Sequence, residues 1–386
     1  MGKVVNGEAV ELPYLRVANV QDGHLDLDVI KTVAVSHEDV ARFSLQPGDV
    51  LFTEGGDFDK LGRGTVWRGE IPNCLHQNHV FAVRPSPSKL LPEFLAALAS
   101  SAHGRRYFQL SSKQSTNLAS INSTQLKDFP VPLPSLDLQR KIAEILRTWD
   151  AALEKLTALR ALNIRRRVWF RTHLFTGKVR LPGHVGEWRE VRLSDVLHEH
   201  GSSSTGAEEV YSVSVHKGLV NQIEHLGRSF SAANTDHYNR VLPGDIVYTK
   251  SPTGDFPLGI IKQSKIDHEV IVSPLYGVFT PQTYALGVIL DALFESPLAA
   301  RNYLHPLVQK GAKNTIAVTN SQFLEGKLHL PMDPAEQAAI ADIVEASHAE
   351  CAGIEAEIEA LTRQKRGLMQ KLLTGEWRIN AKGTLA

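Results

Sequence analysis

Few residues in this chain combine the types and the spacing that catalysis requires. Ser273-Pro274-Leu275-Tyr276 comes nearest to the Asn/Asp/Ser-Pro-Pro-aromatic motif with which amino-methylating enzymes hold a target amine, but its second proline is missing. No strand, Gly-rich turn and helix accompany it in the order a cofactor site needs. Residues 55–65 (Gly55-Gly56-Asp57-Phe58-Asp59-Lys60-Leu61-Gly62-Arg63-Gly64-Thr65) are glycine-rich yet lack the Gly-Lys-Ser/Thr of a phosphate cradle, and they read as a flexible surface loop. Cys74, His76 and His79 have no second ligand pair and read as a strand and turn. His198-Glu199-His200 lacks the spacing that sets two histidines on one helix face. No nucleophile sits beside a base, so the chain reads as catalytically empty.

The polar residues that suit binding are better organised. Lys113, Gln114 and Asn117 lie in one loop, and Lys310, Lys313 and Asn314 echo them. Lysine suits phosphates, while Gln and Asn suit base edges. Lys60, Arg63 and Arg68 fall in or after the glycine-rich stretch; Lys250 and Ser251 stand at its counterpart, followed by Thr253, Lys262 and Lys265. Arg105, Arg106 and Arg301 add positive charge nearby. Any one of these is as well explained as a solvated loop side chain. Their recurrence at matching places argues for the set.

The elements that must position these loops come in two copies. Pro47-Gly48-Asp49-Val50-Leu51-Phe52-Thr53 returns as Pro243-Gly244-Asp245-Ile246-Val247-Tyr248-Thr249, and residues 113–126 are echoed by 310–323. Each copy then passes through a Leu-Pro step (Leu133-Pro134, Leu330-Pro331) into a long helical stretch, 137–174 and 336–373. In the second stretch, Ile340, Val344, Ser347, Cys351, Ile354, Ile358, Leu361, Lys365, Leu368 and Leu372 are spaced alternately four and three apart, the pattern of a helix packed lengthwise on another. A shift of 198 residues sets Ile142 on Ile340, Leu146 on Val344 and Leu153 on Cys351. Arg160, Asn163 and Arg167 break the match, which predicts an apolar stripe displaced towards Leu159 and Leu162. The first helix is basic late and the second acidic early, so antiparallel packing brings opposite charges together. Strand-like runs at 49–53, 79–83, 245–249 and 270–280, with helix-like stretches at 92–101 and 286–294, make each copy a mixed domain. Tyr14-Leu15-Arg16-Val17 aligns with Tyr211-Ser212-Val213-Ser214, so the first copy has no counterpart of residues 188–209. Residues 377–386 supply that segment, or it is absent.

The 386 residues suffice for two or three domains, and 42 Lys+Arg balance 42 Asp+Glu. A charged partner must therefore be met locally. Two distant cysteines fit a reduced interior, and no run approaches the roughly 18 apolar residues of a membrane span. These features predict a soluble, cytoplasmic protein.

Together, the Pro-Gly-Asp strand, the Lys/Asn loop, the Leu-Pro step, the helix starts Gln139…Ile142-Ala143 and Glu336-Gln337…Ile340-Ala341, and the Leu-Phe/Leu-Thr-Gly helix ends resemble the DNA specificity subunit of type I restriction–modification systems. The order of all these motifs, over nearly the whole chain, carries the resemblance. It departs from the family at the shortened N-terminus and at Leu136-Asp137-Leu138-Gln139, where Glu-Gln is usual. The resemblance implies an α+β fold made of a tandemly duplicated mixed α/β target-recognition domain, each copy followed by a long helix, the two helices forming an antiparallel coiled coil. It implies boundaries at 1–134 (first recognition domain), 135–177 (first spacer helix), 178–333 (second recognition domain), 334–375 (second spacer helix) and 376–386 (tail). Each domain would read one half of a bipartite site in double-stranded DNA. The helices would set the spacer and dock two modification (methyltransferase) subunits, with Leu146, Leu153, Val344, Ile354 and Leu361 placed in that role. Restriction/translocase subunits would complete the assembly. No cofactor is expected in this chain; S-adenosylmethionine would belong to the methyltransferase, and ATP and Mg to the restriction subunit. The competing reading is a coiled-coil scaffold or adaptor binding protein or another nucleic acid.

Overall fold

The computed structural model describes residues 9–58, 61–114, 119–226, 235–310 and 316–377. The chain divides into two compact units, Met1–Thr157 with Ala356–Ala386, and Ala158–Glu355. Both boundaries fall inside a long helix, so each unit owns part of Leu136–Trp169 and part of Pro334–Leu373.

Caps set the helix ends. The Ser135 hydroxyl accepts the Leu138 N–H (3.3 Å), and Asp333 accepts the Ala335 N–H (3.0 Å) with Pro334 in the first turn. Both helices therefore begin slightly before the first apolar position of the periodic pattern. At the far ends Gly177 (φ +68°) and Gly375 (φ +74°) turn left-handed and donate to the carbonyls of Leu174 and Leu372. The first helix closes through a π-helical turn, Phe170–Leu174.

The first unit carries a sheet in the order Lys31–Val35, Val10–Leu15, Leu75–His76 and another in the order Gly64–Val66, Val50–Thr53, Val80–Val83. Helices Pro92–Ser100 and Ala102–Ser111 cover the second sheet, burying Phe52, Phe94, Leu98 and Phe108. Ile142 and Leu146 of the first long helix and Leu368, Met369 and Leu372 of the second join the same core. The second unit has a four-stranded sheet in the order Leu197–His198, Gly277–Pro281, Ile246–Tyr248, Ile261–Gln263. Helices Tyr284–Phe294 and Pro297–Leu304 pack on it around Tyr248, Phe279 and Phe323. Trp188–Arg192 pairs antiparallel with Lys327–Pro331.

Two anchors recur. In each Pro-Gly-Asp turn the glycine is left-handed (Gly48 φ +95°, Gly244 φ +87°) and the aspartate is fully buried. Asp49 accepts the Gln46 N–H (2.8 Å) and both arms of Arg84 (2.7 and 2.8 Å); Asp245 accepts the Leu242 N–H (2.7 Å), the Thr280 hydroxyl (2.7 Å) and His200 Nε2 (3.1 Å). A buried carboxylate left unpaired is costly, so these partners hold the strand that follows. The second anchor is a glutamine in the first turn of each long helix. Gln139 accepts the Leu91 N–H (2.8 Å) and donates to the carbonyls of Lys89 and Pro134 (2.9 Å each). Gln337 accepts the Thr283 hydroxyl (2.6 Å) and donates to the Pro331 carbonyl (2.8 Å).

Three sequence expectations change. Residues 270–280 are two strands, Val270–Val272 and Gly277–Pro281, in different sheets; the turn between them is Ser273–Tyr276, closed by the Tyr276 N–H on the Ser273 carbonyl (3.0 Å). The glycine-rich stretch is packed where it is described, because Gly62 and Gly64 let the chain pass against Phe108 and the Leu51 carbonyl: an added Cβ would lie 2.1 and 1.9 Å from them. The apolar stripe of the first helix does not move to Leu159 and Leu162, which are exposed. Asn163 stays inward and satisfies its amide on Glu350 (3.1 Å).

Candidate nucleic-acid interface

The two polar stretches singled out in the first copy meet in one small sheet. Ser120 is flanked by Gly55 on one side and Lys113 on the other, in the order Gly55–Gly56, Ala119–Ser120, Lys113–Gln114. The Lys113 loop is thus a β-hairpin. Lys113 is exposed at its base, Gln114 continues the strand, and Asn117 and Lys60 lie outside the described residues. Arg63 and Arg105 line one cleft of about 300 Å³ together with Gln21, Asp22 and His24. Arg63 donates to Gln21 (3.2 Å), while Arg105 pairs with Asp22 (2.7 Å) and donates to the Ser100 carbonyl (3.0 Å). These bonds aim both guanidinium groups while neutralising only one.

The second unit builds a matching hairpin, Gln309–Lys310 with Ile316–Ala317; Lys313 and Asn314 lie outside the described residues. Lys250 adopts φ +58°, one of two non-glycine residues in that region among those described. Gly259 makes room for it: a Cβ there would sit 2.8 Å from the Lys250 nitrogen. Strained backbone of this kind costs on the order of 1–3 kcal/mol and collects at functional sites. Burial lowers the Lys250 pKa, opposed by the charge of Glu199. Glu199 in turn accepts from Asn320, which opens the helix directly after the hairpin. Lys250 is thereby within electrostatic reach of Glu199, with Ser251 exposed beside it. Arg301 is exposed on the Pro297–Leu304 helix and shares no hydrogen bond with that corner among the described residues.

Lys262 and Lys265 are engaged by partners within the unit. Lys262 is buried in its strand and pairs with Asp291 (3.7 Å); Lys265 donates to Gln263 (2.5 Å), faces Glu345 (3.7 Å) and covers the Tyr284 ring (5.1 Å). Of the helical residues assigned to docking, Leu146, Val344 and Ile354 are buried by this chain's own packing, while Leu153 and Leu361 are half-buried.

Sequence reasoning passed over a cluster in the second unit. Glu295, at the end of helix Tyr284–Phe294, binds Arg167 (2.6 Å) and Arg171 (3.2 Å) from the first long helix and His348 (3.2 Å) from the second. Burial works to raise its pKa, but the His348 hydrogen bond and the Arg167 charge together bring it down to about 2. A lone glutamate after an apolar helix gave no signal. The late basic run of the first helix did, and was read only as a helix–helix charge pattern.

Among the described residues no three His, Cys, Asp or Glu gather as metal ligands. No helix there is long and apolar enough to cross a membrane.

Residues 6–163 match the family model of the type I restriction modification DNA specificity domain. The MjaX type I restriction enzyme specificity subunit of Methanocaldococcus jannaschii is 23% identical over 404 residues, covering 97% of this chain and 89% of that protein. The EcoKI specificity subunit of Escherichia coli is 29% identical over 139 residues, or 36% of this chain and 30% of that one. The crystal structure of a type I restriction–modification S subunit from M. genitalium shares the fold at 13% identity, with a TM-score of 0.50 over 96% of this chain and 97% of that one.

Proposed function

We propose that this chain, which belongs to the type I restriction–modification DNA specificity family, reads a bipartite double-stranded site with two duplicated recognition domains. The observation that carries this reading is the repeated β-hairpin, Lys113–Gln114 with Ala119–Ser120 and Gln309–Lys310 with Ile316–Ala317, set at corresponding places of the two units. Lysines at a hairpin suit phosphate contact, and the Gln and Asn residues of the two loops suit base edges. Arg63, Arg105, Lys250, Ser251 and Arg301, with Lys60 outside the described residues, are assigned as further contacts to the duplex.

The two long helices then act as an antiparallel coiled coil. Within the second unit Arg160 meets Glu355 (2.8 Å) and Arg166 meets Glu350, so numbering rises along one helix as it falls along the other. Within the first, Lys365 meets Asp150. At 34 and 40 residues the helices extend roughly 50 and 60 Å. That length supports a spacer that neither domain contacts, because duplex DNA advances one turn in about 34 Å. The half-exposed Leu153 and Leu361 leave part of the seam for two modification subunits, with restriction/translocase subunits completing a cytoplasmic complex. Methylation with S-adenosylmethionine and cleavage driven by ATP and Mg belong to those partners.

Methylation sequencing of host DNA with and without the gene tests this. The expected outcome is a split motif modified only when the gene is present; an unchanged pattern in a host carrying the partner subunits overturns it.

A further inference from the structure

Directly after strand Val50–Thr53, Glu54 stands one residue before Gly55, at the edge of the small sheet that carries the first hairpin. Its backbone is held on both sides. The Glu54 N–H bonds the His79 carbonyl (3.0 Å), and the Glu54 carbonyl accepts the Ile121 N–H (2.8 Å). The two side chains meet as well, with His79 Nδ1 lying 2.5 Å from Glu54 Oε2. A carboxylate only accepts, so Nδ1 donates; this orients the pair and uses one of the two carboxylate oxygens. Among the described residues no hydrogen bond reaches Oε1. The Glu54 side chain is 33% exposed and that of His79 65%, so the pair faces solvent beside the hairpin.

The second unit keeps this frame and changes what it carries. The repeat of the Pro-Gly-Asp strand sets Thr53-Glu54 on Thr249-Lys250. Phe52 pairs with Phe81 where Tyr248 pairs with Gly277, so His79 falls on Leu275, which is 70% exposed. An acceptor held by an imidazole is thus exchanged for a cation and an apolar side chain, which cannot form an ion pair or hydrogen bond with each other. A pair required for folding would be exchanged for another pair, and an exposed pair contributes little to stability in any case. Side chains that change at one fixed, exposed place suit contact with a ligand that differs between the two units.

Charge decides which part of a duplex Glu54 fits. Phosphates repel a carboxylate. Among base edges in the major groove it accepts from the cytosine N4 amino group, and it is repelled by the acceptors guanine O6 and N7 and thymine O4. Resting on the reading that the first hairpin meets DNA, we infer that Glu54 is a specificity-determining residue. It accepts a hydrogen bond from the cytosine amino group of one C·G pair in the half-site read by the first unit, and His79 is the residue that positions it.

Methylation sequencing in a host carrying the partner subunits tests this with variants of the full-length chain. The native chain should modify a split motif that holds a fixed C·G pair in one half. Glu54→Ala should relax that single pair by at least about fivefold, the scale of one lost base contact, with the other half and the spacer unchanged. Glu54→Gln should shift the same pair towards A·T, because an amide matches adenine N6 and N7. His79→Ala should relax the same pair and no other. Where Glu54→Ala abolishes modification, Glu54→Gln decides: a shifted pair supports the inference, and an intact motif or no modification overturns it. An intact motif in Glu54→Ala, changes in both halves, or relaxation of a pair other than C·G would each overturn it too. Each of these leaves the proposed function standing, whereas a native chain that modifies no split motif overturns both.

Discussion

Glu295 in the second unit and Ser100 in the first precede the same step, a serine that caps the next short helix (Ser296, Ser101), yet they meet the long helices by opposite chemistry. Glu295 gathers Arg167, Arg171 and His348. Shifting those three by the repeat distance gives Lys365, Met369 and Asp150. There the Ser100 hydroxyl rests on the Met369 sulfur (3.9 Å), and the half-buried Lys365 pairs with Asp150, which is exposed. One junction is a half-buried ionic knot; the other is a soft contact with a weak surface pair. The difference shows that packing position is kept while the interaction filling it changes, so the two units should respond differently to the same perturbation.

The largest expected effect is Glu295→Ala. It leaves two arginines and a histidine facing one another without a carboxylate, and should destabilise the second unit by about 3 kcal/mol. Ser100→Ala, its counterpart, should change stability by less than about 0.5 kcal/mol. Urea unfolding followed by hydrogen exchange in helices Tyr284–Phe294 and Pro92–Ser100 separates the two; equal losses would erase the distinction drawn here.

Acid comes next. The Glu295 carboxyl is held at about 2 in the folded chain against an ordinary 4.5. Its contribution is complete above pH 4.5 and fades as pH falls towards 2, by on the order of 2 kcal/mol. Stability of the Tyr284–Phe294 helix measured across that window should decline more in the native chain than in Glu295→Gln. Parallel curves for the two proteins would show that the knot carries no such linkage.

A graft sharpens the comparison further. Ser100→Glu with Met369→Arg transfers the ionic chemistry to the first unit, and a double-mutant cycle should return a favourable coupling of about 1 kcal/mol. Smallest of all, Lys365→Ala removes a pair whose Asp150 partner is mostly in water, and its cost in thermal unfolding should stay under about 0.5 kcal/mol.

The long helices were readable from sequence because a three-and-four spacing sustained over ten positions admits few other structures. The Val50–Thr53, Val80–Val83 and Ile246–Tyr248 strands were readable because branched and aromatic runs were bounded by turn residues. Periodicity failed at 270–280, where Ser273-Pro274 breaks the run without interrupting its apolar character. It failed again at Asn163, because a buried amide leaves no trace in a pattern of hydrophobic residues. The hairpins around Lys113 and Lys310 were legible as loops through their repetition. Their pairing with the glycine-rich stretch in the first unit depends on contacts far apart in the chain. The Glu295 knot was hidden for the same reason, with its four members drawn from three elements.

The glutamine in the first turn of each long helix has a consequence for how such a chain can change length. By bonding on two sides at once, Gln139 and Gln337 fix not only where each helix starts but the angle at which it is rotated about its own axis. One residue added downstream turns everything beyond it by about 100° and advances it about 1.5 Å, which swings the apolar seam off its partner. Seven residues restore the angle to within about 20° and add about 10 Å. Length in these helices is therefore available only in coarse increments, set by rotational phase.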